Sequence, residues 1–425
     1  MRFTLSIIAL INILVTNLSA ITLEEAIKLA LKTHPEIEIA RLNHDISGKE
    51  VQSARSNLYP HIELNAEYYP TKTFVIPSNG IFTTRHEDAV HADISATYTV
   101  YDFGRTQERL KASKSASLGA EEQSRYHQEV MIEQVVQNYY TSAYLNRLTQ
   151  TAEASSRYYE KLYQKALHMR QNGLKTQADE SRFKASWLEA QDLLHSKRTE
   201  YRKSLYALEH LIDKRVESID GNELDRAVEE KQIPSIESMQ QELHQKNPEL
   251  KRLEAVLAQA EANYNVSKTQ GYGTLSAVVG YGVDRSLSSY DSSYVGLKGN
   301  LPLFDGGYLD AQMQKSALSV QIAQQEYENT KKQLFEELFN AASDHEQAIQ
   351  SIEAKRGLID ALEQTLHLME GRYTQGLATY VDVLEAQNAL DNAKNGLSGA
   401  KLTKIVRFAR IERLLNKGCI DEICR

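Results

Sequence analysis

Two acidic side chains, Asp382 and Glu385, have a type and a spacing that suggest chemistry. They stand three positions apart in a stretch with helical periodicity, so both carboxylates lie on one face of the helix. Two carboxylates on one face of a helix concentrate negative charge there. A solvated face on an ordinary helix is the alternative, and the spacing alone does not separate the two.

The other titratable residues give no sign of a reaction centre. Asp and Glu pairs recur along the helical stretches, as on any solvated helix, and no Ser-His-Asp or Cys-His arrangement emerges. The 12 His are scattered, and the 6 Met form no cluster. Asp305-Gly306-Gly307 lacks the Lys-Ser/Thr of a phosphate-binding loop. We therefore expect no enzyme activity, no cofactor and no metal site.

The first 20 residues predict export. Arg2 supplies a positive end, residues 5–15 form an apolar run, and Ser19-Ala20 offers the small residues of a cleavage site. A membrane anchor is the alternative, but the run is too short and contains Asn12. In an exported protein the 2 Cys, Cys419 and Cys424, are expected to form a local disulfide. Free or interchain thiols are the alternative.

Long helices are expected to position the acidic pair. Between Leu309 and Tyr373, apolar or small residues recur at steps of three or four, the pattern of a helix packed lengthwise on other helices. Residues 307–374 at ~1.5 Å each form a rod of roughly 100 Å, longer than a compact core. The 7 Pro and 25% charged residues agree with this, and the net charge of −8 argues against nucleic acid.

The chain contains the same unit twice. Asp102-Phe103-Gly104 stands 203 residues before Asp305-Gly306-Gly307. Asn172-Gly173-Leu174 stands the same distance before Gln375-Gly376-Leu377. A repeat of this length is a structural unit, so each copy is expected to have the same order of elements.

The start of each unit is also helical. Thr22 and Glu25 form the expected capping box of the first helix, which Pro35 should break. Pro248 is the counterpart of Pro35 at an offset of 213. Because this offset exceeds the other by ten, we expect about ten extra residues in the first copy between its proline and Asp102.

Each unit also contains two stretches in which apolar and polar residues alternate, as in strands with one apolar face. These strands are about ten residues long, which matches membrane-spanning barrel strands. A half-exposed sheet in a soluble domain is the alternative, but no other element is left to cover the apolar faces. Loops are expected at about 70–91 and 284–294. The apolar faces comprise Ile62, Leu64, Ala66 and Tyr68; Ile94, Ala96, Tyr98 and Val100; Leu275, Ala277, Val279, Tyr281 and Val283; and Val295, Leu297 and Leu301.

Four strands cannot close a barrel, and lipid tolerates no open strand edge. The chain must therefore oligomerise through its strands, giving eight strands from two copies or twelve from three. Half-length helices at about 36–56, 177–212, 249–269 and 380–415 are expected to stack end to end beside the long ones. This predicts a helical tube with strands at one end and Gly-Leu turns at the other.

The expected organisation has five segments. They are a signal peptide at 1–20, a first repeat at 21–212, an irregular linker at mid-height at 213–235, a second repeat at 236–415 and a tail at 416–425. The first repeat has its hairpin at about 61–101 and its tip turn at 172–176. The second has its hairpin at about 273–302 and its tip turn at 375–379.

This order of elements resembles the TolC family of outer-membrane efflux proteins, which serve tripartite efflux and type I secretion systems. The similarity rests on Leu58-Tyr59-Pro60 before the first strand, on the two Asp-Gly corners and on both tip turns. Residues 376–386 are the most specific match. The similarity covers essentially the whole chain after the signal, and its short motifs occur twice in register.

The resemblance implies a mainly α fold with a β-barrel part. A homotrimer would form one 12-stranded transmembrane β-barrel, continued through the periplasm by a long α-helical coiled-coil barrel. Its partners would be a periplasmic adaptor (membrane fusion) protein and, through it, an inner-membrane pump of the resistance-nodulation-division or ABC type. The expected adaptor-docking tips are Gly173, Leu174, Gly376 and Leu377, and the alternative is that the two leucines only staple the turns.

The resemblance also assigns residues to the periplasmic entrance. Asp382 and Glu385 would project into the lumen as charged rings, and Tyr373 matches an aromatic residue that helps to latch the closed entrance. The family pattern has a basic residue where this chain has Ala378. Closure is therefore expected to rely on Tyr373, hydrogen bonds or weaker contacts.

We predict an outer-membrane channel that gives small toxic compounds a passive exit, as in multidrug efflux. An exit duct for a secreted polypeptide is the first alternative. A non-conducting coiled coil that spans the periplasm is an alternative from another class. That rod needs no amphipathic strands, whereas the sequence contains four.

Overall fold

The computed structural model describes residues 21–229 and 233–418. The predicted signal peptide and the predicted Cys419–Cys424 disulfide lie outside these residues. Within them, no helix combines the length and the apolar character that crossing a membrane requires.

Each repeat contributes one long helix, several shorter ones and two strands. The long helices each have 67 residues. The helices are α1 (Leu23–Thr33), α2 (Pro35–Ser56), α3 (Arg105–Gln171), α4 (Gln177–Ile212), α5 (Glu223–Glu229), α6 (Ile236–Lys246), α7 (Pro248–Thr269), α8 (Tyr308–Thr374) and α9 (Tyr380–Leu414). The strands are β1 (His61–Ser78), β2 (Ile81–Tyr101), β3 (Thr274–Arg285) and β4 (Ser289–Asn300).

Local sequence signals account for the helix starts. Pro35 and Pro248 stand at the first positions of α2 and α7, where the missing N–H is not needed. At the strand–helix corners, Asp102 accepts a hydrogen bond from the Thr106 N–H at 2.7 Å, and Asp305 accepts one from the Leu309 N–H at 2.9 Å. These carboxylates cap α3 and α8 and so fix the direction in which each long helix leaves the sheet.

Only half of the expected capping box at α1 is present. The Glu25 N–H donates to Thr22 Oγ1 at 3.2 Å, so Thr22 is the N-cap. The Glu25 carboxylate instead pairs with Lys214 Nζ at 2.6 Å. The Glu25 carboxylate, which the sequence assigned to the capping box, therefore forms an ion pair with the segment after α4 instead.

The half-length helices stack end to end, as the sequence predicted. Thr33 Oγ1 donates to the carbonyl of Ile212 at 3.3 Å, which joins the end of α4 to the α1–α2 junction. Asn247 Nδ2 donates to the carbonyl of Leu414 at 2.9 Å, which joins the end of α9 to the start of α7. Two broken rods therefore accompany the two unbroken ones, and α3 packs against α2, α4, α7 and α9.

The sheet is antiparallel in the order β1-β2-β3-β4. The expected loop at 70–91 is wrong: β1 continues to Ser78, β2 begins at Ile81, and Asn79-Gly80 makes the turn with positive φ at both residues. The sequence was misleading because Pro70 suggests a strand end, but it lies at a bulge between Tyr69 and Lys72. The second expected loop, 284–294, is also wrong, because β3 and β4 leave only residues 286–288 between them.

The described part of the segment between the repeats contains one short helix, α5, although the sequence suggested an irregular linker. Asp225 of α5 pairs with Arg147 of α3 at 2.5 Å and with Lys401 of α9. Burial acts to raise the pKa of Asp225, but Lys401 and Arg147 outweigh it, and the pKa lies below its ordinary value. An ionised Asp225 therefore holds α3 and α9 together at mid-height.

A histidine occupies the apolar seam of α8. His345 lies between the buried residues Ala341 and Ala348, is itself fully buried, and faces the ring of Phe408 at 6.1 Å. Neither of its ring nitrogens has a hydrogen-bond partner among the described residues. Burial, with a contribution from the charge of Lys404, lowers the pKa of His345 from 6.5 to about 4.

We expect stability to fall as the pH drops from 6.5 to about 4, because the unfolded chain binds a proton at His345 that the folded chain does not. At ~1.4 kcal/mol for each unit of pKa difference, the loss approaches about 3 kcal/mol per chain. His345→Leu should remove this pH dependence. Thermal unfolding followed by circular dichroism between pH 4 and 7 measures it. His367→Leu, at an exposed position of the same helix, is the control, and an equal effect there would contradict the assignment.

Candidate functional site: the helix tips

The two helix tips, at the ends of α3 and α8, have the same backbone geometry. Gly173 and Gly376 adopt left-handed conformations with φ of +73° and +78°. The Leu174 N–H donates to the carbonyl of Met169, and the Leu377 N–H to that of Arg372, both at 2.9 Å. These bonds define a Schellman turn, which satisfies the last carbonyls of each helix.

The leucines after these glycines point into solvent. Leu174 is 68% exposed and Leu377 is 66% exposed. A leucine that only stapled its own turn would be covered by the preceding helix. Leu174 and Leu377 therefore form two exposed apolar knobs at the helix tips, and their docking role stays a prediction.

Asp382 has a structural role that the sequence analysis missed. Its Oδ2 accepts hydrogen bonds from Thr379 N at 2.6 Å and Thr379 Oγ1 at 2.8 Å, while its own N–H donates to Thr379 Oγ1. Asp179 forms the same capping box with Thr176 at the start of α4. The signal was present as Thr-x-x-Asp in both tips.

The same box keeps Asp382 ionised. Hydrogen bonds from the Thr379 N–H and then from its hydroxyl lower the pKa of Asp382, with a further contribution from Arg372. Glu385 is exposed one turn later on α9. The residues between and beside them, Val383 and Ala386, are buried against the other helices. The acidic pair thus lies on the side of α9 that this chain leaves uncovered, and its place in a lumen stays a prediction.

Tyr373 lies in a small core that joins the two tips. It is buried, and its ring meets that of Phe183 from α4 edge-on at 6.0 Å. Lys175 Nζ lies 4.8 Å from the centre of the Tyr373 ring. The guanidinium of Arg182 lies over the ring of Tyr380 at 4.9 Å. Cation–π contacts from the first repeat therefore fasten the aromatic residues of the second.

The family pattern has a basic residue at the position of Ala378. In this chain Lys175 supplies the basic group beside Tyr373 instead. Lys175 is the repeat counterpart of Ala378 at the offset of 203. The first repeat carries the cation that the second lacks, and it reaches across to Tyr373 within one chain. The sequence shows the difference between the tips, since the first reads Gly-Leu-Lys-Thr and the second reads Gly-Leu-Ala-Thr. It does not show that Lys175 contacts Tyr373, because that contact depends on how the two repeats pack.

Polar contacts continue this junction above the tips. Tyr158 Oη donates to Glu370 at 2.7 Å, Tyr159 Oη donates to Asn388 at 2.9 Å, and Ser155 donates to Asp391. Burial raises the pKa of Asp391, although Ser155 and Gln387 act against it. The part of the chain that is described contains no group of three or more His, Cys, Asp or Glu that could hold a metal ion.

Comparison with known proteins identifies the fold. The sequence model of the family described as outer membrane efflux protein matches residues 26–213 and 239–417, which include nearly all of both repeats and all four strands. The chain belongs to the outer membrane efflux protein family. It is thus an efflux protein of the outer membrane, with a long helical extension on the periplasmic side.

Relatives of this efflux protein match over nearly its whole length. It is 22% identical to the toluene efflux pump outer membrane protein TtgC of Pseudomonas putida, over 94% of this chain and 84% of the relative. It is 24% identical to the outer membrane protein TolC of Escherichia coli, over 92% and 80%. The predicted resemblance to the TolC family is confirmed.

The fold of the efflux protein is shared with a solved structure. The CmeC outer membrane channel of Campylobacter jejuni superposes with a TM-score of 0.82 at 16% identity, over 94% of this chain and 89% of that one. At this identity the likeness supports the fold alone. The predicted combination of long helices with a small antiparallel sheet is confirmed.

We expect Lys175→Met to loosen the junction of the two tips, because methionine keeps the length of the side chain and removes its charge. The lost cation–π contact is worth about 0.5–1 kcal/mol, which corresponds to about two- to five-fold faster amide exchange around Tyr373. Hydrogen–deuterium exchange with mass spectrometry measures this. Lys184→Met, at an exposed position of α4, is the matched control, and equal exchange in both variants would argue against the contact.

Proposed function

We propose that three copies of the chain form one continuous duct through which small toxic compounds leave the cell in a tripartite efflux system. A 12-stranded barrel crosses the outer membrane, and a helical tube continues it through the periplasm. The chain carries out no reaction, and an inner-membrane pump supplies the energy. The duct is built from the two repeats at 21–212 and 236–415, joined at mid-height by residues 213–235.

The observation that carries this proposal is that both layers of the molecule end in open edges. In the sheet, β1 and β4 are the edge strands, and every residue of β4 is exposed. In the helical layer, α2 and α4 form one edge and α8 forms the other. Exposed apolar residues recur at steps of three or four along both helical edges: Ile39, Leu42 and Ile46 on α2, and Leu318 and Ile322 on α8.

Unlike edges that complement each other join copies head to tail, and such contacts close into a ring when the rotation between copies is a whole fraction of a turn. Two chains would give eight strands, and a barrel of that size is filled by its own side chains. Three chains give twelve strands and leave a lumen. The inward face suits water, because it carries Glu63, Asn65, Glu67, Asp93 and Ser95 opposite the apolar outward face.

The tips are the part of the duct that meets its partners. In a trimer, Leu174 and Leu377 give six exposed apolar knobs around the periplasmic end, with Gly173 and Gly376 holding each turn. Apolar side chains presented on rigid turns suit docking by a periplasmic adaptor protein, which links the duct to the pump. Asp382 and Glu385 give the entrance its negative charge, and Tyr373 holds the two tips of each chain together.

We expect the purified trimer to show a small, cation-selective conductance in a planar bilayer, because six carboxylates at a constriction attract cations. Asp382→Asn with Glu385→Gln should lower the cation preference and leave the fold intact, since the side-chain oxygen of asparagine can still accept the Thr379 N–H in the capping box. Asp179→Asn, in the equivalent capping box of the first tip, is the control. No conductance from a folded trimer, even with the entrance loosened by Gly376→Ala, would favour the non-conducting rod.

We expect Leu174→Ser with Leu377→Ser to weaken adaptor binding at least tenfold, since each exposed leucine contributes roughly 1–2 kcal/mol when it is buried at an interface. Drug resistance of cells that depend on this protein should fall with it. Leu174→Met with Leu377→Met keeps the apolar surface and should retain resistance. The serine variant must still conduct in a bilayer, and unchanged resistance in that variant would remove the leucines from the docking surface.

A further inference from the structure

The first hairpin extends well beyond the second at the end of the sheet remote from the helices. Pairing between β2 and β3 stops where Val90 faces Arg285, and β4 begins at Ser289. Residues 72–87, here termed the outer hairpin, pair only with each other among the described strands. A two-stranded hairpin with both edges free is marginally stable in water.

The bulge in β1 decides which side chains of the outer hairpin face inward. Before the bulge, Tyr68 lies on the apolar outward face and Tyr69 on the polar inward face. After it, the register places Lys72 opposite Glu87 and Phe74 opposite Arg85. Lys72 Nζ lies 5.1 Å from the ring centre of Tyr69 and 5.8 Å from that of Phe74, so these three side chains share one face. The bulge therefore turns Phe74 from the outward to the inward side.

The end of the outer hairpin is apolar and uncovered in the single chain. On the inward face, Ile76 pairs with Thr83, and Ile81, next to the turn, has an exposed fraction of 67%. Surface of this kind at the end of a marginal hairpin favours burial against another apolar surface.

The proposed ring supplies that surface. Three outer hairpins stand around one mouth, and their inward faces look toward a common axis, so the apolar surface nearest to each tip is the same tip on a neighbouring chain. Charge opposes the approach only weakly, because Glu87 lies 3.7 Å from Arg85 and pairs across the strands with Lys72, which leaves one net positive charge on each inward face.

We propose that the outer hairpins of the three chains lean over the mouth and pack their inward faces together, forming a lid that narrows the exit. The proposal rests on the trimer proposed above. Cargo then passes when the tips separate, and the base of each hairpin, at the Pro70 bulge, is where the movement occurs.

Thr83 and Thr84 provide a matched test, because they are adjacent, identical and exposed, and lie on opposite faces of β2. Each is replaced by cysteine in a chain that also carries Cys419→Ser and Cys424→Ser. The trimer in detergent is oxidised mildly and analysed on a denaturing gel without reductant. We expect Thr83→Cys to join two chains of each trimer in a covalent dimer, and Thr84→Cys to give no more dimer than the cysteine-free chain.

A planar bilayer gives the second readout. Oxidation of Thr83→Cys should lower the single-channel conductance, and a reductant should restore it. Conducting trimers that form no dimer at Thr83→Cys would overturn the lid and leave the duct standing. Equal amounts of covalent dimer from both cysteine variants would also overturn the lid, because the hairpins would then meet without a preferred face. A chain that stays monomeric would overturn the duct and the lid together.

Discussion

Unpaired backbone groups at a sheet edge cannot stay exposed in lipid, since each costs several kcal/mol without water to bond it. The sheet of this chain ends in two such edges, β1 and β4. In the proposed ring, β1 of one chain pairs with β4 of the next, so that no strand edge stays open. The long helices leave the sheet at the corners capped by Asp102 and Asp305. In the proposed ring, the edges of the helical layer therefore meet at the same boundary between chains as the edges of the sheet.

The length of the helical part comes from unbroken helices supported by broken ones. Helices in proteins gain most of their stability from packing rather than from helix propensity, so α3 and α8 depend on neighbours along their length. The prolines that begin α2 and α7 interrupt the neighbouring rods at mid-height. Asp225, which binds Arg147 and Lys401, lies at the height of these interruptions and links the first repeat to the second there.

The two repeats have the same backbone but different chemistry at the tips. The first tip carries cations, Lys175 and Arg182, and the second carries the aromatic rings on which they lie, Tyr373 and Tyr380. In a duplicated unit the two partners of a contact can come from different copies. The tips, 203 residues apart, keep the same backbone geometry while their side chains differ. The two tips are therefore held together by contacts within each chain, and the adjoining acidic pair remains on the uncovered side of α9.

The sequence by itself determined the helices, the repeat, the apolar faces of the strands and the family, because periodicity and turn residues act over a few positions. It predicted the outer loop at 70–91 wrongly, since Pro70 ends an isolated strand but is tolerated at a bulge. It also assigned Asp382 to the lumen alone, although Thr379 binds it as a cap. The contact of Lys175 with Tyr373 joins residues nearly two hundred positions apart. Only the packing of one repeat on the other decided it, because no local pattern encodes which distant ring a cation will cover.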